Sequence, residues 1–155
     1  MKKIVMLAVL SAAISGCDDQ GIEGAVDGTA YGVSVYLNGK DQGSVNIFEH
    51  EAKFETVTVG EQSVRGVSVA AMIEAVTGIG ASELGGYLCD YEAADGFRPS
   101  SKGDRCPMVS CAYAAESYID VASKRLVYGE GAPMKDGPGC YGVDALTKIL
   151  IYPAD

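Results

Sequence analysis

Five cysteines, a single histidine and one cluster of cations are the residues of this 155-residue chain whose types could carry chemistry. Thiolates and an imidazole raise a metal site first. Cys106 and Cys111 stand in a C-x4-C spacing without the paired C-x2-C knuckles of structural zinc, and His50 is far from them in sequence. No C-x-x-C-H is present, so covalent haem attachment is not indicated. His50 lies between Glu49 and Glu51, a set able to hold a cation or move a proton, yet such a charged run reads more simply as a solvated turn. Arg98, Lys102 and Arg105 concentrate positive charge beside Cys106. They could bind a carboxylate or sulfate-like anion, although pairing with Asp95 and Asp104 is the plainer account. Tyr113, Tyr118, Tyr128 and Tyr141 are expected to close a core with their hydroxyls at its rim. No Ser-His-Asp set, phosphate-cradling loop or paired-carboxylate motif stands out, so no catalytic residue and no metal ligand are assigned.

The first residues set the compartment. Lys2 and Lys3 precede an apolar or small run from Ile4 to Ala13, and small residues lead up to Cys17. That run is about half of the roughly 20 residues that cross a bilayer, so a cleaved export signal over 1–16 is expected rather than a permanent span. Ile14-Ser15-Gly16-Cys17 resembles the lipobox of bacterial lipoproteins, which implies that Cys17 is acylated and becomes the new N-terminus. The resemblance implies a protein anchored through lipid in the cell envelope, on the periplasmic side, with Asp18 favouring the inner membrane. Residues 17–28 are Gly-rich and acidic, the composition of a flexible tether. Loss of residues 1–16 removes two lysines and no acids, which moves the formal charge from −9 to −11. Such an acidic chain repels nucleic acid, and none is expected as a partner. Cys89, Cys106, Cys111 and Cys140 remain, an even number in an oxidising compartment, so two disulfides are the default. Three pairings are open; one closes a short loop from Cys106 to Cys111 and joins Cys89 to Cys140.

These residues need elements to position them. Tyr31, Val33, Val35 and Leu37 alternate with smaller or polar neighbours, Asn38-Gly39 supplies a hairpin turn, and Gly43 to Phe48 returns. Phe54 to Val59 reads as a third strand. Ser68 caps a helix whose Val69, Met72, Ile73 and Val76 share one face, and Thr77-Gly78 ends it. Tyr87 to Ala93 and Lys124 to Tyr128 read as strands, and Val143 to Tyr152 as a closing one. Ala112 to Tyr118 fits a short helix or a strand. Residues 96–110 and 129–142 read as loops, the first of them stapled by cysteine. The class is α+β, mainly β.

The order of segments carries a second resemblance. Leu37-Asn38-Gly39-Lys40 ends a strand, Arg65-Gly66-Val67-Ser68-Val69 opens a helix, and Asp90 to Gly96 forms a strand and turn. Arg125-Leu126-Val127-Tyr128-Gly129-Glu130-Gly131-Ala132-Pro133-Met134 follows, and then Gly137-Pro138-Gly139-Cys140-Tyr141-Gly142-Val143-Asp144-Ala145-Leu146-Thr147-Lys148-Ile149. Together they resemble the molybdopterin-binding domain of the sulfite oxidase family over roughly residues 33 to 152. The resemblance implies one such domain over 29–155, with a mixed sheet, few short helices and a ligand cleft. Arg98, Arg105, Tyr113, Tyr128 and Tyr141 are its candidate lining, with Tyr118 nearby, and Cys111 and Cys140 are the cysteines whose segments could approach it. The chain also departs from the family. No cysteine stands between Thr29 and Arg65, where active members carry the molybdenum thiolate, few basic residues could grip a dianionic phosphate, and the last motif is shortened. The expectation is therefore a non-catalytic ligand-binding or accessory module with no cofactor, serving a small ligand or an envelope protein partner. The alternative is a molybdopterin-dependent oxidoreductase or a subunit assisting one.

Overall fold

Val33 and Val35 are wholly buried while Gly32 is exposed, so the expected alternation makes β1 (Gly32–Leu37) half of a hairpin with β2 (Lys40–Asn46). Asn38 and Gly39 both take positive φ, 49° and 75°, which is the geometry a two-residue turn between twisted strands demands. The computed structural model describes residues 31–136 and 139–155. The signal expected over 1–16, the acylation site Cys17, the tether expected over 17–28 and the start of the domain at 29 lie outside the described residues.

The returning strand stops earlier than its composition suggests. Asn46 accepts the backbone N–H of Phe48 at 3.2 Å and so caps a 3₁₀ stretch, Ile47–Lys53, instead of letting β2 run on to Phe48. The expected third strand forms as β3 (Glu55–Val59), and it pairs with β4 (Gln62–Ser68), an element the sequence reading did not anticipate. Ser68 then caps α1 (Val69–Thr77) by accepting the N–H of Ala71 at 3.2 Å, and Gly78 at φ 75° ends it. Val69, Ala70, Met72 and Ile73 are its buried face.

Further along come β5 (Tyr87–Ala93), a 3₁₀ stretch at Pro99–Arg105, and the two-residue β6 (Val109–Ser110). The ambiguous segment after it divides into a 3₁₀ turn, Cys111–Glu116, and β7 (Ser117–Asp120). Then follow β8 (Leu126–Tyr128), 3₁₀ turns at Pro133–Asp136 and Gly139–Tyr141, and β9 (Leu146–Pro153). The segments 96–110 and 129–142 thus carry short turns of their own where plain loop was expected.

The described strands form two sheets, a mixed five-stranded one ordered β2-β1-β9-β5-β6 and an antiparallel four-stranded one ordered β3-β4-β7-β8. β9 lies parallel to β1 and antiparallel to β5 at the centre of the first sheet. Its Ile149 and Ile151 are wholly buried and Leu150 nearly so, as a central strand covered on both faces requires. α1 packs against β2, β4, β7 and the 111–116 turn, and its apolar face joins the core shared by both sheets. The fold is α+β, mainly β, with a mixed sheet and few short helices.

Both disulfides form, with a pairing other than the short-loop one. Cys89 bonds Cys111 and Cys106 bonds Cys140, at Cα separations of 5.0 and 6.5 Å. Register explains the first. Val109 pairs with Cys89 across β5 and β6, which puts Cys111, two residues on and just past the strand end, within reach of Cys89.

Candidate ligand cleft

In the second sheet, antiparallel register sorts the side chains by face. Val67, Ile119 and Leu126 are cross-strand neighbours on the core face, and Val67 and Ile119 are wholly buried. Val59 opposite Gln62, Val64 two residues on, Asp120 opposite Gly66, and Val127 opposite Tyr118 therefore share the other face. A cleft of about 530 Å³ lies over β8, where Leu126 and Tyr128 of the core face line it together with residues of the other face, and against the turns that carry Met134, Gly139, Tyr141 and Gly142. That volume lies within the range of small-molecule sites.

The strands beside the cleft approach closely at Gly66. A Cβ on Gly66 would lie 2.2 Å from the carbonyl oxygen of Ile119, so a side chain there is incompatible with the β4–β7 pairing. Tyr128 and Tyr141 meet edge to face, with ring centroids 6.5 Å apart and planes at 81°. The Tyr141 hydroxyl donates to the carbonyl of Pro107 at 3.2 Å. The Tyr128 hydroxyl is buried and has no hydrogen-bond partner among the described residues. Burial, with smaller contributions from Tyr91, Tyr141 and Asp90, pushes its ionisation far above the usual phenol range. Burial also raises Tyr141.

Arg125 is the cationic side chain among the described residues lining the cleft. Its Nε donates to Asp144 at 3.1 Å, and Gly142 gives it room, since a Cβ there would lie 3.1 Å from Nη2. The Asp120 carboxylate accepts from its own turn, from the Ser123 N–H at 2.9 Å and the Ser123 hydroxyl. The cleft thus joins apolar walls to a few oriented polar groups, an arrangement suited to binding.

Of the residues singled out from sequence, Tyr128 and Tyr141 line this cleft. Tyr118 lies on the same sheet face without lining it, its ionisation raised by burial and then by Glu55 and Glu116. Tyr113 is exposed on the 111–116 turn, and Arg105 is exposed before Cys106. Arg98 does not pair with Asp95 or Asp104. It reaches the buried Asp90 of β5, with Nη2 and Nε at 2.7 and 2.8 Å from Oδ2, and Ser100 adds a backbone and a hydroxyl donor. Burial lowers the affinity of the Arg98 guanidinium for its proton, but Asp90 and, after it, Tyr152 together outweigh this and raise it on balance. Asp95 instead accepts the N–H of Phe97 in its own turn. His50 lies in the 47–53 stretch, where its neighbour Glu51 pairs with Arg65 at 3.2 Å.

Gln62, Arg125 and Met134 were not anticipated. Arg125 and Met134 stand at the two ends of the quoted 125–134 segment, whereas Gln62 belongs to no quoted motif. A thiolate-bound molybdenum does not fit these residues. Cys89, Cys106, Cys111 and Cys140 are all paired, and Arg125, already engaged by Asp144, is a poor match for a dianionic phosphate. No family model matches this chain, no curated protein matches it, and no solved structure matches it.

Proposed function

We propose that the protein is an extracytoplasmic lipoprotein, tethered to the membrane through Cys17, whose domain is sulfite oxidase-like and binds a small ligand without transforming it. One observation carries the binding reading: a cleft of about 530 Å³ whose floor holds the edge-to-face pair Tyr128 and Tyr141 and whose rim holds Arg125. The lipobox-like residues before Cys17 support the anchor, and the two disulfides suit an oxidising compartment. Pairing of Cys89, Cys106, Cys111 and Cys140 supports the non-catalytic half, because it removes the thiolates a molybdenum centre would draw on.

The test uses full-length protein purified from membranes in detergent. Saturation-transfer NMR against a mixture of small aromatic carboxylates, amines and amides is expected to show a saturable binder that Tyr141→Ala loses. Stoichiometric molybdenum with pterin fluorescence in the same preparation overturns the non-catalytic reading in favour of a molybdopterin oxidoreductase or its accessory subunit. Replacement of Cys17 by Ser is expected to release the protein from the membrane fraction and remove the acyl mass. Unchanged membrane association and mass overturn the anchor.

A further inference from the structure

One wall of the cleft is fastened by a bond that a thiol can cut. Residues 139–142 supply Gly139, Tyr141 and Gly142 to the lining, and Cys140 in their midst is bonded to Cys106 at the end of the 99–105 stretch. The tie that accompanies it, the Tyr141 hydroxyl to the Pro107 carbonyl, is exposed and reaches the residue next to Cys106. Both therefore hold the wall to the same anchor. Inside the wall, the Gly142 N–H donates to the Gly139 carbonyl at 3.2 Å, a bond that keeps the turn's shape without fixing its place. Beyond the disulfide, the ties of this wall among the described residues are that exposed hydrogen bond, the Tyr128–Tyr141 ring contact and the partial packing of Tyr141 on the core, while Val143, the next residue, is bridged to Leu126.

The two disulfides differ in access. Cys89 and Cys111 are buried within the core, at 1% and 0% exposure. Cys106 is buried too, but Cys140 is partly exposed on the cleft wall. Thiol–disulfide exchange needs a thiolate to reach a sulfur in line, so access selects the bond that reacts.

We propose that Cys140 is the point of attack for a dithiol reductant and that cutting the Cys106–Cys140 bond releases the 139–142 wall, so that the redox state of this pair governs the cleft. A thiolate of the reductant attacks Sγ of Cys140, forming a mixed disulfide and expelling the Cys106 sulfur as a thiolate, which takes up a proton. The second thiol of the reductant then displaces Cys140, leaving the reductant as an internal disulfide. Two electrons and two protons pass from the dithiol to the pair, and reoxidation by a disulfide donor reverses both steps. This inference rests on the reading of the cleft as the ligand site; the release of the wall itself is measured without a ligand.

Full-length oxidised protein in detergent is titrated with dithiothreitol, quenched by alkylation and mapped by mass spectrometry. Cys106 and Cys140 are expected to be labelled at least about tenfold faster than Cys89 and Cys111. Hydrogen exchange over 139–142 is expected to rise with that labelling while β5 and β9 stay protected. The variant carrying Cys106→Ser and Cys140→Ser is expected to match the reduced protein in exchange, with its Cys89–Cys111 bond reporting correct folding. Simultaneous labelling of all four cysteines, or labelling of Cys89 and Cys111 first, overturns the site of attack. Unchanged exchange over 139–142 in the reduced pair or in the variant overturns the release. A saturable ligand of the Tyr141 cleft that binds equally in both redox states overturns the control while leaving the binding reading intact.

Discussion

The Tyr128 hydroxyl shows how one atom separates a structural role from a binding role. Enclosed beside Tyr91 and Tyr141 without a partner among the described residues, it loses its hydration and gains no bond in exchange, a deficit of about 1–3 kcal/mol. Tyr128→Phe removes the deficit and keeps the ring contact with Tyr141. The variant is expected to gain about 1 kcal/mol in urea denaturation, and a loss of stability would show that the hydroxyl has a partner that the described residues lack. At Gly66 the argument concerns space. A Cβ 2.2 Å from the Ile119 carbonyl cannot be relieved by a rotamer change, because the obstacle is backbone. Gly66→Ala is thus expected to cost at least about 3 kcal/mol, at or beyond the upper end for overpacking, and to weaken the β4–β7 pairing beside the cleft. Equal denaturation midpoints for the variant and the parent would contradict that strand approach.

At the scale of elements, the long segment after β5 is held to the sheet by charge as well as by cysteine. Asp90 has a side chain 1% exposed and Arg98 one 33% exposed, so removal of the guanidinium leaves a buried carboxylate while removal of both charges leaves none. Arg98→Met is expected to lose about 2–3 kcal/mol, below the fully buried limit because solvent reaches part of the pair. Adding Asp90→Asn is expected to restore part of the loss, and a double-mutant cycle by urea denaturation measures it. Additive losses would show that the pair does not hold the segment. Legibility in the sequence followed the same division between local and distant causes. β1, its hairpin, α1 and β5 were readable because each follows from spacing along a few residues: Asn38-Gly39 for the turn, Ser68 and Gly78 for the helix ends. β4 was hidden because Val64, Gly66 and Val67 are all buried, which erases its alternation, and its glycine reads as a breaker until Ile119 is placed beside it. The disulfide pairing waited on the β5–β6 register. The cleft was half legible: its tyrosines, Arg125 and Met134 belong to quoted motifs, whereas Val59, Gln62 and Val64 join them only through the β3–β4 hairpin, whose second strand was not read.

For the molecule as a whole, the buried phenols set a boundary on the alkaline side. In the unfolded chain a tyrosine ionises near pH 10.0, and burial raises Tyr31, Tyr91 and Tyr128 well above that in the folded one. Below pH 10 both states keep these three protons, and the tyrosines give stability no slope. Above it the unfolded chain releases them while the folded chain retains them, so the unfolded state binds fewer protons and stability falls as pH rises. Each phenol contributes up to about 1.4 kcal/mol per pH unit, and the three together up to roughly 4. A domain with the usual 5–15 kcal/mol of stability is then expected to unfold cooperatively within about one to four units above pH 10, or sooner as the net negative charge grows. Tyr31 anchors the start of β1 by donating to the Leu146 carbonyl at 2.7 Å, and Tyr91 lies within the central core, so neither can ionise without opening the shared interior. Tyrosinate absorbance from these three residues is expected to appear in step with the loss of circular dichroism. The Tyr128→Phe variant should show a slope lower by about a third. A full tyrosinate signal while the circular dichroism is still native would mean that these hydroxyls reach water in the folded protein, and the enclosure of Tyr128 beneath the cleft would be lost with them.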